Sequence, residues 1–231
     1  MHSRWAGIAL ASVVAALSAA PAQAATLTVD KPCYRAADPA GDLVLVGSGF
    51  TPGGLVLLGS GDTTIGSAVA DAKGNFRQKY QIPAPPETGK RAHEAQFSFF
   101  ATDNMDQTLT STVTFSTANV FGDYSPDESL HPESVRVRFS AFGFGVGLAA
   151  TAPRPPIYLH YVNPRGKLKR TVLLGTGAGV CGSIRRTPLR RLFPFRPTRG
   201  KWTLQFDTHK LYTRGTGNRF LYDRSLTLTI S

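Results

Sequence analysis

Cysteine, helical periodicity, catalytic motifs and long apolar runs are scarce or missing in this chain of 231 residues. Its two cysteines, Cys33 and Cys181, stand far apart and outside any C-x-x-C or other metal-ligand spacing, and no His-x-x-x-His pair occurs, so a zinc site is unsupported. A Gly-x-Ser-x-Gly nucleophile elbow is missing. Gly175-Thr176-Gly177-Ala178-Gly179 is glycine-rich, but no Lys-Ser/Thr follows it and no helix opens after it. It reads as a flexible loop leading to Cys181 rather than a phosphate cradle. Candidate acid–base groups are His93, His131, His160, His209, Asp207 and Asp223. Asp207-Thr208-His209 sets an acid and a histidine on one face of a strand, while His160, between Leu159 and Tyr161, reads as a surface or edge-strand residue. No catalytic residue, metal ligand or cofactor is assigned, and the chain reads as a non-enzyme. No stretch beyond the leader carries a 3.6-residue apolar face, which excludes a helical architecture.

The single long apolar run is N-terminal. Met1 to Trp5 carries Arg4 and no acid, Ala6 to Ala20 is apolar, and Pro21-Ala22-Gln23-Ala24 offers small residues for cleavage after Ala24. That order is a secretory signal, residues 1–24. The run ends at Pro21, short of the roughly 20 residues a membrane span needs. The mature chain is therefore expected to be secreted, with no integral membrane span. In that compartment a Cys33–Cys181 bridge is favoured over two separate buried thiols or intermolecular pairing. Closing so long a loop contributes about 5 kcal/mol in the chain-entropy model, less any strain.

What fills the rest is strict two-residue alternation. Phe76, Tyr80 and Ile82 alternate with Arg77, Lys79 and Gln81. Val135, Val137 and Phe139 alternate with Arg136, Arg138 and Ser140, and Trp202, Leu204 and Phe206 with Lys201, Thr203 and Gln205. Each run has one face for a core and one for water, the mark of a half-buried strand. Turn formers such as Asp71-Ala72-Lys73-Gly74-Asn75 and Asn163-Pro164-Arg165-Gly166 separate them. The class is all-β.

The two halves echo each other. Gly47-Ser48-Gly49-Phe50 matches Ala141-Phe142-Gly143-Phe144, and an apolar strand follows each. Lys73-Gly74-Asn75-Phe76 matches Arg165-Gly166-Lys167-Leu168, and the turns Gly89-Lys90 and Gly200-Lys201 each introduce a long strand. Each half closes on a Thr/Ser-rich strand, Thr110 to Phe115 and Ser225 to Ile230. The expected organisation is a first sandwich over 25–118, a linker over 119–133 and a second sandwich over 134–231.

Gly47-Ser48-Gly49-Phe50-Thr51-Pro52-Gly53-Gly54 before an apolar strand resembles the opening of bacterial immunoglobulin-like domains. Ala70-Asp71-Ala72-Lys73-Gly74-Asn75-Phe76, Ile82-Pro83 and the Thr-rich closing strand are similar to the second half of that family. The resemblance spans roughly Thr26 to Ala118; the second half keeps Gly-Phe but lacks the Pro-Gly-Gly turn. It implies tandem immunoglobulin-like sandwiches in an extracellular setting, and it carries no catalytic residues.

Charge is unevenly distributed. Residues 25–118 hold seven Lys/Arg against nine Asp/Glu, a balance of −2, while residues 119–231 hold eighteen against six, a balance of +12. No acid occurs between Glu133 and Asp207. There Arg185, Arg186, Arg190, Arg191, Arg196, Arg199 and Lys201 surround Leu192-Phe193-Pro194-Phe195. Arginine forks grip phosphate or carboxylate in two places, so this run is the candidate polyanion-binding site. Phe193 and Phe195 are its candidate aromatic contacts, for stacking on a ring or dipping into a lipid surface, unless they cap the core. The expected partner is an anionic envelope polymer or acidic polysaccharide. Nucleic acid is disfavoured, because no recognition helix or zinc-finger spacing is present and the chain is expected to be exported. The alternative is a structural or adhesive protein that joins a protein partner through sheet edges, its charge incidental.

Overall fold

The computed structural model describes residues 24–36, 38, 42–83, 93–126, 135–214 and 225–230, with Pro126 and 225–230 as backbone alone. Residues 1–23 of the expected export signal, residues 127–133 of the expected linker and the Gly89-Lys90 turn lie outside the described residues, as do His131 and Asp223. No helix among the described residues is long and apolar enough to cross a membrane.

Alternating side chains build eight strands in the first half: β1 (Thr26–Val29), β2 (Cys33–Arg35), β3 (Asp42–Ser48), β4 (Leu55–Ser60), β5 (Thr63–Val69), β6 (Phe76–Gln81), β7 (Glu94–Asp103) and β8 (Thr110–Ala118). They form two sheets, β1-β3-β6 and β2-β8-β7-β4-β5. Between them lies a core of Leu43, Leu45, Val56, Leu58, Phe99, Ala101 and Phe115. The second half adds β9 (Phe121–Pro126), β10 (Arg136–Phe142), β11 (Pro156–Val162), β12 (Leu168–Thr176), β13 (Arg190–Arg191), β14 (Gly200–Asp207) and β15 (Ser225–Ile230). These form β13-β10-β9 and β12-β11-β14-β15. Val137, Phe139, Leu159, Tyr161, Trp202, Leu204 and Phe206 fill that core. The protein is a tandem pair of β-sandwiches.

Setting β2 aside, the two sandwiches share one strand order, with β1, β3, β4, β5, β6, β7 and β8 answered by β9, β10, β11, β12, β13, β14 and β15. Registers agree at the point where the chain leaves one sheet for the other. Thr26 pairs Ser48 and Phe121 pairs Phe142. Each pairing is followed by a glycine at positive φ, Gly49 at 79° and Gly143 at 72°. A buried phenylalanine comes next, Phe50 or Phe144. The left-handed backbone at these glycines suits a residue without Cβ, and it swings the phenylalanine back into the core.

The second echo is one of turn chemistry, not of topology. The Asp71 carboxylate accepts the N–H groups of Lys73 (2.8 Å) and Asn75 (2.9 Å), and the Asn163 side chain accepts those of Arg165 (3.0 Å) and Lys167 (2.9 Å). Yet the first turn carries the chain from β5 to β6, in different sheets, whereas the second closes the β11–β12 hairpin within one sheet. An Asx side chain with a glycine closes either reversal, so the matched turns are not equivalent positions.

The counterpart of β6 is broken. Ile184 bridges Ala141 as Phe76 pairs Gly47, but regular pairing resumes only at Val137↔Arg190. In between, Pro188 offers no N–H, and Thr187 substitutes for the ladder: its hydroxyl accepts the Phe139 N–H at 2.9 Å and its own N–H reaches the Phe139 carbonyl at 2.8 Å.

Between β8 and β9 stand two residues, Asn119 and Val120, so the stretch 119–133 that reads as a linker begins with a strand of the second sandwich. The joint is covalently closed. Cys33 and Cys181 form a disulfide, Cα atoms 5.2 Å apart, across 148 residues of chain. The Gly147 N–H donates to the Cys33 carbonyl (3.0 Å) and the Gly145 N–H to the Cys181 carbonyl (2.8 Å). His93 stacks between Phe121 and Phe142, ring centroids 4.4 and 4.6 Å away, and the Ser183 hydroxyl donates to Glu94. In the glycine-rich loop before Cys181, Ala178 and Ser183 bond reciprocally and Gly177 donates to the Pro155 carbonyl.

Candidate anion-binding site

The end of the second sandwich farthest from the joint gathers cations from three separate segments. Arg136 opens β10 and lies directly opposite Arg191 in β13. Because Val137 and Phe139 point into the core, Arg136 and Arg191 share the solvent face. The β11–β12 turn contributes exposed Arg165 and Lys167 at the same end. Gly200, where β14 begins, lets Pro164 of that turn pack against it; a Cβ there would meet the proline ring at 2.7 Å. Exposed Arg199 and Lys201 therefore stand beside Arg165 and Lys167. Arg170 and Arg190 flank the open side of the sandwich. Burial holds the Tyr161 hydroxyl pKa above the usual tyrosine range, and both guanidinium groups pull it the other way. No carboxylate occurs in sequence between Glu133 and Asp207, so these segments bring no acid of their own to the tip.

The predicted cluster is only partly brought together. Arg190, Arg191, Arg196, Arg199 and Lys201 belong to the segment that runs across this tip. Arg185 and Arg186 do not. The Ser140 hydroxyl bonds the Arg185 carbonyl, four residues up β10 from Arg136, and Thr187, next to Arg186, bonds Phe139, three residues up. At the strand rise these are about 10–13 Å away. Lys201 also projects from the opposite sheet to Arg191, since Trp202 beside it is core. Arg136, Arg165, Lys167 and Arg170 complete the cationic end; they stand singly among strand and turn residues, and only the strand pairing places them here.

Phe193 is corrected from ligand contact to core. It is 3% exposed, with Trp202, Tyr161 and Phe195 ring centroids at 5.3, 5.6 and 5.7 Å. Phe195 is half-buried against the same rings, 5.4 Å from both Tyr161 and Trp202. The physical reason is the gap between edge strands β12 and β13. Leu192 to Phe195 plugs it, pinned by the Tyr161 hydroxyl donating to the Leu192 carbonyl (2.9 Å) and by Arg170 donating to the Pro194 carbonyl (3.2 Å). The plug turns its phenylalanines inward and leaves Arg191, Arg196 and Arg199 around it exposed.

His160 is likewise not a surface residue: it is fully buried. Its Nδ1 lies 2.8 Å from the Thr171 hydroxyl, and its Nε2 faces both Asp207 Oδ2 (3.0 Å) and the His209 carbonyl (3.1 Å). With two acceptors in front of it, Nε2 carries hydrogen. Asp207 also accepts from the Gln205 amide (3.2 Å) and the His209 N–H (2.7 Å), and Gln205 reaches the Thr213 carbonyl (3.2 Å). The aspartate thus pairs with His160 on the neighbouring strand rather than with the His209 ring. The bonds from His160, Asp207 and Gln205 to His209 and Thr213 hold residues 208–214 across the outer face of the sheet.

No protein-family model matches the chain, and no curated protein does. Among solved structures, the chain is similar to the tetra-tandem repeat in the extending region of a large adhesion protein, at 12% identity and TM-score 0.30, covering 88% of this chain and 47% of that one. It thus spans about half that structure's length. It is also similar to the YadV chaperone (10% identity, TM-score 0.28, 90% of this chain and 100% of that one). A third likeness is to the E. coli alpha-2-macroglobulin in its native conformation (13% identity, TM-score 0.24, 88% of this chain and 12% of that one).

Proposed function

We propose that this is a secreted, non-catalytic binding protein whose second sandwich docks end-on to an anionic envelope polymer or acidic polysaccharide. The observation that carries the reading is the convergence of Arg136 and Arg191, Arg165 and Lys167, and Arg199 and Lys201 on one end of the second sandwich, away from the joint. Such a cap raises the local concentration of polyanions, and its arginine forks grip phosphate or carboxylate without a pocket. The disulfide at the joint fits an oxidising compartment. It also fixes the near-neutral first sandwich relative to the cap, as a spacer or adhesive face.

The test is retention of the chain from Ala25 onward on its producer's cell envelope across a salt series. Beside it runs a variant with Arg136, Arg165, Arg191 and Arg199 changed to Glu. Retention of the wild type that weakens with salt and disappears in the variant supports docking. Equal retention of both, or of neither, rejects it.

A further inference from the structure

β5 is a seven-residue edge strand, Thr63 to Val69, without a charge or a proline. Other edge strands with described side chains carry devices against pairing. In β6 these are exposed Arg77 and Lys79; β12 has Lys169, Arg170 and two register shifts; β13 is two arginines behind Pro188. β9 bears Asp123 and ends at Pro126, while β1 and β2 span four and three residues. Among the described residues, β5 makes backbone hydrogen bonds to β4 alone, and β12 to β11 alone.

The charges at these two edges select the occupant. Exposed Asp62 and Asp71 flank β5, so antiparallel pairing of two β5 strands sets each aspartate opposite another. A β5–β12 pair instead brings Asp71 beside Lys167 and Lys169 and leaves Asp62 opposite no charge. Each edge also exposes an apolar pair on its outer face: Ile65 (40%) and Val69 (67%) on β5, Leu168 (42%) and Leu173 (52%) on β12. We propose that copies of this chain join head to tail by strand addition, β5 of one pairing antiparallel with β12 of the next. Such a contact is heterologous and leaves a free edge at each end, so it builds open chains. It is independent of the anion-binding reading.

The full chain from Ala25 onward is followed by size exclusion with light scattering from about 10 µM to about 1 mM, a range suited to a contact of one strand. Val69→Lys sets a cation against Lys167 and Lys169; Leu173→Glu sets a carboxylate on the apolar contact opposite Ile65. The wild type is expected to rise at least about twofold in mean mass over this range, and each variant alone to stay monomeric. An equimolar mixture of the two retains one intact β5 and one intact β12, so it forms dimers and nothing longer. A wild type that stays monomeric overturns the proposal. So does assembly of Leu173→Glu alone, which means that two β5 strands pair, or a mixture that fails to dimerise.

Discussion

Replacing Phe193 with Ala separates the two roles that this ring has been given. The side chain is 3% exposed and packs on Tyr161, Phe195 and Trp202. Truncating a buried phenylalanine costs about 3–5 kcal/mol, through lost transfer energy and the cavity left behind. Phe193 sits in the plug rather than on a strand, so Leu192 to Pro194 can settle partly into the space. The expected loss therefore falls at the lower end, about 3 kcal/mol. For a sandwich of about a hundred residues this lowers the melting midpoint by roughly 12–24 °C. Trp202 is the one tryptophan of the chain from Ala25 onward, and its fluorescence reports the second sandwich. Phe195→Ala, at a half-buried ring, is expected to lose less, about 1–2 kcal/mol. Below its melting range the Phe193 variant should hold polyanions as the wild type does. A loss under about 1 kcal/mol together with weakened binding would refute the reasoning and return the ring to the surface.

Asp103 is fully buried and accepts the N–H groups of Thr51 (2.7 Å), Met105 (2.8 Å) and Asp106 (3.2 Å), tying two turns together. Asp103→Asn turns a donor toward one of these donors, an expected loss of about 2–3 kcal/mol by urea unfolding. Burial pushes the Asp103 carboxyl up, but the bonds from Thr51, Met105 and Asp106 outweigh it and hold its pKa below the usual value. Its stabilisation is thus present above about pH 4 and fades as pH falls through the lowered folded pKa. A gap between wild type and variant that widens in acid contradicts this. Cys33→Ser with Cys181→Ser removes a closed loop of 148 residues, and the denaturant midpoint should fall by an equivalent of up to about 5 kcal/mol; an unchanged midpoint contradicts the chain-entropy account. His160→Leu deprives Asp207 and the His209 carbonyl of their shared donor. Hydrogen exchange at His209 to Thr213 should quicken by at least about tenfold while β9 and β10 keep their protection; unchanged exchange means that the buried network does not hold this segment.

The all-β class was legible because period-two alternation is local, and so was the disulfide, because a chain with two cysteines offers one intramolecular pairing. The Gly49 and Gly143 crossovers were legible for the same reason: a glycine before a buried phenylalanine is a local necessity. The Asp71 and Asn163 turns misled because equal turn chemistry serves different connections. Phe193 was misjudged because its neighbours in sequence are arginines, whereas its neighbours in space are Tyr161 and Trp202. Burial of His160 was hidden because its cover, residues 208–214, is polar and arrives from the far end of β14. Arg136 and Arg165 escaped because only strand register and the Pro164–Gly200 contact bring them to the tip.

Two variants of equal net charge test the docking cap most directly. Arg191→Glu with Arg199→Glu reverses two charges at the tip; Arg185→Glu with Arg186→Glu reverses two about 10–13 Å up β10. Binding of each to inorganic polyphosphate and to polygalacturonate is compared by calorimetry at low and moderate salt. The account predicts that the tip variant loses most of its affinity while the second variant keeps it. Equal losses in both would mean that attraction follows net charge alone, and the tip would not be a site.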